Sequence, residues 1–225
     1  GSQQRVIQTL RGRGYRLIAP VEEHPAAAVA SSHRPRAYVP DFVGRSVVLA
    51  ELDAALEDAE SGRGRIVLLA GEAGIGKTRT AEEFAATARA RGIPVHAAWC
   101  REEKGAPPYW AWVQVLRGLV DERDGDTLRS ELGSAAARIA RIVPEIRVRL
   151  PDLPDGSAEA DPEEARFGLF DAIAGFLTRA SAREARILIV DDLHWAGRSS
   201  LQLLEFLAPV IGTMRILLLG TYRDV

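Results

Sequence analysis

The sequence predicts an α/β protein with a mostly parallel sheet and a helical insertion, preceded by a short β-hairpin and a linker. Three observations carry this expectation. From residue 41 onward, short apolar runs alternate with amphipathic helical stretches, the pattern of parallel strands joined by crossover helices. Residues 105–183 break that alternation with a long and mostly helical signal. Near the start, two β-branched or aromatic runs flank a glycine-containing turn.

Taken in order, residues 6–10 and 15–18 are the two arms of the hairpin, around Arg11-Gly12-Arg13-Gly14. Residues 20–40 hold Pro20, Pro25, Pro35 and Pro40 among small residues, which reads as a linker. This divides the chain into a hairpin at 1–19, a linker at 20–40 and a regular domain at 41–225. Val48, Leu52, Ala55, Leu56 and Ala59 share one face of a first helix. The run RIVLLA at 65–70 has no polar alternation and is expected as a strand buried on both faces. A helix with Ala81, Phe84, Ala85 and Ala88 inward follows, then a weaker strand at 94–99. Within the insertion, Val113, Leu116 and Val120 form one apolar stripe. Ile139, Ile142, Val143 and Ile146 form a second, and Phe167, Phe170, Ala174 and Leu177 a third. A Pro/Asp/Gly stretch at 151–162 separates these helices. A strand at 187–191, a helix at 199–208 and a strand at 215–220 complete the pattern.

Composition narrows the class. With 225 residues, 47% hydrophobic and 27% charged, the chain can bury a core without cross-links. That excludes a disordered tail, a fibre and a disulfide scaffold. No apolar run approaches the ~20 residues of a membrane helix, so a cytoplasmic protein with no membrane partner is expected. The single cysteine, Cys100, allows neither an internal disulfide nor a cysteine-based zinc site. Residues 1–36 carry six arginines against Glu22 and Glu23, while the whole chain has a net charge of −2. A basic start on an acidic body fits either a nucleic-acid contact at one end or a solvated basic tail.

One segment carries explicit chemistry. Gly71-Glu72-Ala73-Gly74-Ile75-Gly76-Lys77-Thr78 matches G-x-x-x-x-G-K-[ST], directly after an apolar strand and opening a helix, with Arg79 next in line. The glycines let backbone N–H groups wrap a phosphate, and the helix N-terminus adds positive potential. Lys77 supplies a charge for the β- and γ-phosphates, and Thr78 an oxygen for magnesium. Lysine occurs otherwise only at Lys104, so Lys77 is no product of composition. ATP or ADP with magnesium is the expected cofactor.

Such a loop needs an acidic strand end to help hold magnesium. Ile187-Leu188-Ile189-Val190-Asp191-Asp192 supplies one. Asp191 is the expected magnesium ligand, direct or through water, and Asp192 stands where it could polarise an attacking water. His194 and Trp195 read as packing residues.

The segment LIVDDLHWAGRSSLQLLEFLA resembles the magnesium-site region of the signal-transducing ATPases called STAND, within the AAA+-related P-loop group. Phe42-Val43-Gly44-Arg45, with Glu51-Leu52, resembles that family's entry box, whose backbone meets adenine. Leu217-Leu218-Leu219-Gly220-Thr221-Tyr222-Arg223 resembles its sensor strand, where Thr221 and Arg223 would watch the γ-phosphate. The segments at 99–100 and 108–112 are also similar. The resemblance implies a P-loop NTPase three-layer sandwich, with a further strand and a helical lid beyond residue 225. Gly197 stands where the family often has Asp, so any role of that acid is lost.

The hairpin resembles something else, the terminal wing of an OmpR-type winged-helix DNA-binding domain. That resemblance implies that Arg11 and Arg13 reach toward a DNA minor groove. It also implies that base-specific binding belongs to the parent's winged helix, not to this stretch. Together these readings describe the nucleotide-switched ATPase module of a transcription regulator, turning over slowly and self-associating in its parent in a nucleotide-dependent way. A metabolic or mechanical ATPase, and a nucleotide-binding scaffold without turnover, are the competing readings.

Overall fold

The computed structural model describes residues 7–10, 14–17, 45–102, 106–154 and 161–223. The chain falls into two units, Gly1–Ala50 and Glu51–Val225. In the first, β1 (Ile7–Leu10) pairs antiparallel with β2 (Gly14–Leu17), Ile7 opposite Leu17 and Leu10 opposite Gly14. The expected linker at 20–40, Arg11, Arg13, Val43 and Gly44 lie outside the described residues. Helix α1 (Ser46–Glu60) starts where the Arg45 carbonyl accepts the Leu49 N–H, and runs into the second unit.

That unit alternates strands and helices in the order expected. After β3 (Arg65–Gly71) come α2 (Lys77–Ala90) and β4 (Val95–Trp99). The insertion consists of α3 (Trp110–Asp121), α4 (Gly125–Leu132), α5 (Ala136–Ile139), α6 (Glu145–Arg149) and α7 (Pro162–Ala180). The chain then returns through β5 (Arg186–Asp191), α8 (Arg198–Ile211) and β6 (Ile216–Arg223). All four strands of the unit run parallel, in the order β3-β6-β5-β4. The chain crosses from β3 to the far edge at β4 and steps back through β5 to β6. Helix α2 leaving β3 and α8 leaving β5 therefore cover opposite faces, a reversal of winding with β6 between them. Ligands of open α/β sheets bind at the strand C-termini beside such a reversal.

Alternation along the strands sorts the core into two faces. Leu188, Val190, Ile216 and Leu218 join one large cluster with Ala98, Trp112, Leu116, Phe176 and Leu207, so α3, α7 and α8 cover that face. On the same side Trp112 Nε1 donates to the Ser200 carbonyl at 3.0 Å, tying α3 to α8. Ile187, Ile189, Leu217 and Leu219 are buried on the opposite face, against which α2 places Phe84, Ala85 and Ala88. The three layers of the expected sandwich are therefore present.

Several local expectations are corrected. β3 is half-buried rather than buried on both faces, because among the described strands it has a hydrogen-bonded neighbour on one side only. The Ile139–Ile146 stripe is divided between α5 and α6 by a turn that ends in Pro144, with Ile142 in that turn. Phe167 is 61% exposed although it opens the third stripe. Its ring stacks edge-on against Phe206 at 5.7 Å on the rim of the cluster. Helix α8 continues through Pro209 to Ile211, three residues beyond the expected end at 208. A proline that close to the C-terminus forfeits one hydrogen bond, and the burial of Leu207 and Ile211 holds the last turn in place.

Candidate functional site

The phosphate-loop segment sits at the C-terminal end of β3, turning directly into α2. Gly76 occupies the N-cap of α2 at φ 95°, a left-handed conformation that a side chain would strain. Glu72, Ala73, Gly74 and Ile75 form the exposed arch of the loop, and Arg79 lies exposed in the first turn, 3.8 Å from Glu83. Lys77 is only 7% exposed, and its ammonium donates to the carbonyls of Gly71 at 2.8 Å and Glu72 at 2.9 Å. The charge is thus held inside the loop that it closes.

The acidic strand end comes to the same place. Thr78 Oγ1 lies 3.1 and 3.0 Å from the two carboxylate oxygens of Asp191, across 113 residues of sequence. On the other side of that carboxylate, Thr221 donates its hydroxyl to Asp191 Oδ1 at 2.5 Å. Thr221 Oγ1 also accepts the backbone N–H of Asp192 at 2.9 Å. Asp192 has φ 57° and ψ 48°, a left-handed conformation that acidic and amide residues tolerate better than most. Its carboxylate is about one-third exposed, at 34%, while Asp191 is buried. Arg223 lies at the end of β6, exposed, in register with Gly71 at the start of the loop.

The oxygen spacing suits magnesium. Neighbouring ligands in an octahedron of about 2.0–2.1 Å radius stand about 2.9 Å apart. The Thr78 hydroxyl and Asp191 carboxylate are already separated by that edge. Among the described residues no group of three or more His, Cys, Asp or Glu could cage a metal alone. This also fits magnesium, which takes few protein ligands and completes its shell with phosphate oxygens and water.

The packing role expected of His194 and Trp195 holds for Trp195, which lies against the core cluster, whereas His194 lies beside the acidic pair. His194 Nδ1 is 3.8 Å from Asp192 Oδ1, and neither ring nitrogen has a hydrogen-bond partner. Burial lowers its pKa, Arg223 and Lys77 push it further down, and the two aspartates oppose them. It therefore stands as a neutral imidazole against the acidic pair. Trp195 also lines a cavity. The pair's position after Asp191-Asp192 was the available signal, since a turn leaving a ligand strand holds its side chains near the ligand.

Of the expected site residues, Gly71 to Arg79, Asp191, Asp192, Thr221 and Arg223 gather at one end of the sheet. Val43 and Gly44 lie outside the described residues. Arg45 belongs to the first unit and is described there alone.

An uncharacterized protein of Rhizobium meliloti (strain 1021) is 26% identical over 175 residues, 72% of this chain. The chain spans only 16% of that relative's length. Among solved structures, the chain is similar to the Aeropyrum pernix ORC1 protein, determined in complex with DNA, at a TM-score of 0.42 and 19% identity. That match covers 83% of this chain and 41% of the other. Among the described residues no helix is long and apolar enough to cross a membrane. The phosphate loop, the paired aspartates and the first half of the strand that carries Thr221 fall inside residues 41–219, the span that matches the AAA ATPase domain, and the chain belongs to that family.

Proposed function

We propose that this chain is the nucleotide-dependent switch of a signalling ATPase that regulates transcription. In this reading residues 41–225 form the ATPase module, and 20–40 link it to a wing-like hairpin at 1–19. The loop from Gly71 through Thr78, with Arg79, cradles the phosphates of ATP or ADP, and Val43, Gly44 and Arg45 meet the adenine. Lys77 leaves the Gly71 and Glu72 carbonyls for the β- and γ-phosphates. Thr78 and Asp191 hold magnesium, which when bound neutralises charge between the phosphate oxygens. Asp192 orients a water, and Thr221 and Arg223 sense the γ-phosphate.

One observation supports the switch above the others. Thr221 joins the Asp191 carboxylate to the Asp192 backbone, and Asp191 in turn meets Thr78. Anything that rearranges Thr78 or Asp191 is therefore felt at Asp192, in the turn that leads to α8. The transcriptional part of the reading rests on the hairpin, with its resemblance to a DNA-contacting wing and its basic surroundings. DNA would be bound by the parent's winged helix, with Arg11 and Arg13 adding salt-sensitive attraction. The same reading places the parent in the cytoplasm and lets it self-associate according to nucleotide state.

Hydrogen exchange of the chain with ADP–magnesium and with a non-hydrolysable ATP analogue tests the switch. The expected result is different protection over residues 192–198 in the two states. Identical protection there, with both nucleotides bound, would overturn it.

A further inference from the structure

We propose that the cavity between the N-termini of α3 and α8 is a binding site for a small planar aromatic molecule that carries a carboxylate or phosphate. The cavity has a volume of about 600 Å³, within the usual range for small-molecule sites. It is separate from the phosphate loop, since no residue of 71–79 lines it.

Its chemistry is one-sided. Arg101, Arg166 and Arg198 all line it, and no carboxylate appears among the described lining residues. Arg166 has a distant partner in Glu163, at 3.8 Å, while Arg101 and Arg198 have no ion pair among the described residues. Three arginines bordering one cavity, with no carboxylate among its described lining, favour an anion there. Planar guanidinium forks match the two oxygens of a carboxylate or phosphate. The first turns of both helices also border the cavity, and neither has a side-chain cap, so their positive ends add to the same field.

The remaining walls specify a ring. Trp110 and Trp195, both half-buried, line the cavity and offer indole surface suited to stacking a flat ring system. Arg117 lies 5.5 Å from the Trp110 ring, so one face of that indole is already engaged. Cys100, also in the lining, is no nucleophile. Burial, with the charges of Asp192 and Asp191, pushes its thiol up to about 11, so it offers apolar contact only. An extended nucleic acid would need a track of basic residues along the surface, whereas these three border a single cavity.

Calorimetry on the whole chain with four probes tests the site: 2-naphthyl phosphate, 2-naphthoate, neutral 2-naphthamide and inorganic phosphate. One of the two anionic naphthyl compounds should bind with one-to-one stoichiometry, at least about tenfold tighter than either 2-naphthamide or phosphate, the worth of one charge-assisted hydrogen bond. Which of the two binds better identifies the anion. The double variant Arg101→Gln/Arg198→Gln changes exposed side chains only, so it should keep the wild-type melting temperature while losing at least about tenfold in affinity. Trp195→Leu should weaken the ring compounds and leave phosphate unchanged. The same titration on Lys77→Ala separates this site from the phosphate loop, and affinity should be unaltered. The proposal falls if no naphthyl anion binds below millimolar concentration. It falls equally if the double arginine variant binds as wild type does, or if Lys77→Ala abolishes binding.

Discussion

Thr221 and Asp191 share the shortest side-chain hydrogen bond of the nucleotide-site cluster, hydroxyl to Oδ1 at 2.5 Å, with Thr221 fully buried. The same hydroxyl oxygen receives the Asp192 N–H at 2.9 Å. One side chain on β6 thus positions a carboxylate and a backbone turn that belong to β5 and its exit.

This makes Thr221→Val informative. The shape is nearly kept, but the Asp192 N–H loses its side-chain partner, and Asp191 Oδ1 keeps only the Thr78 hydroxyl at 3.1 Å. Leaving such a group unpaired costs about 1–3 kcal/mol. Urea unfolding of the variant should show a loss of that size with an unchanged m-value, and Thr221→Ser should recover most of it. A Thr221→Val protein as stable as wild type would mean that the hydroxyl positions nothing.

Lys77 is held by two loop carbonyls, at 2.8 and 2.9 Å, and is nearly buried. If those carbonyls are only its resting partners and phosphate its functional one, the charge is essential for nucleotide binding. At ADP–magnesium about 100-fold above its Kd, the wild type should gain about 2.7 kcal/mol of stability, read as a rise in melting temperature. Lys77→Ala should show no such rise. Equal ATP affinity of the two proteins by calorimetry would remove the phosphate loop from the reading.

Much of this site was legible because its key groups lie in two short linear motifs. Spacing alone placed Lys77 and Thr78 at a helix start and Asp191 at a strand end. The apolar runs that became β5 and β6 were equally plain, since central strands need no alternation. The run that became β3 looked the same, yet lies at the edge of the described sheet. Strand order is set by which helices cross over, and no local run encodes it. Pro144 ended a stripe that periodicity alone continued, while Pro209 failed to end one, because burial of Ile211 outweighed one missing hydrogen bond. The basic cavity was illegible for a different reason. Its walls come from segments near residues 100, 110, 166 and 195–202, and only the fold brings those together.

Asp192 adopts a left-handed conformation at φ 57°, and asparagine occupies that region readily. Asp192→Asn should therefore fold normally and bind ATP–magnesium with nearly wild-type affinity. Its hydrolysis rate should fall, because a carboxamide cannot accept the proton of an attacking water. Wild-type turnover itself should lie well below ~10 s⁻¹, the median for ordinary enzymes, as a switch requires. Phosphate release in single-turnover conditions measures both. Unaltered hydrolysis in Asp192→Asn would assign the water to another group, with His194 the nearest candidate.

His96 provides a test of stability that is independent of nucleotide. Its side chain is 3% exposed on β4, and its pKa is lowered from 6.5 to about 3. Burial is the largest cause, and the cations of Arg186, Arg123 and Arg89 add to it. Glu122 Oε2 lies 3.4 Å from Nε2, but that carboxylate is engaged by Arg186 Nη1 at 3.0 Å and does not draw a proton onto the ring. Below pH 6.5 the unfolded chain protonates this histidine while the folded chain does not, down to about pH 3. The unfolded state then binds more protons, so stability falls as pH is lowered through that window, by up to about 1.4 kcal/mol per pH unit. Between pH 7 and pH 5 the histidine should cost about 2 kcal/mol. Urea titrations at both values should show that loss in wild type, and His96→Gln should remove most of it, leaving the smaller contribution of His194, whose pKa is lowered in the same direction. If His96→Gln loses as much stability as wild type on acidification, the imidazole is already protonated in the fold, and the arginines around it do not set its charge.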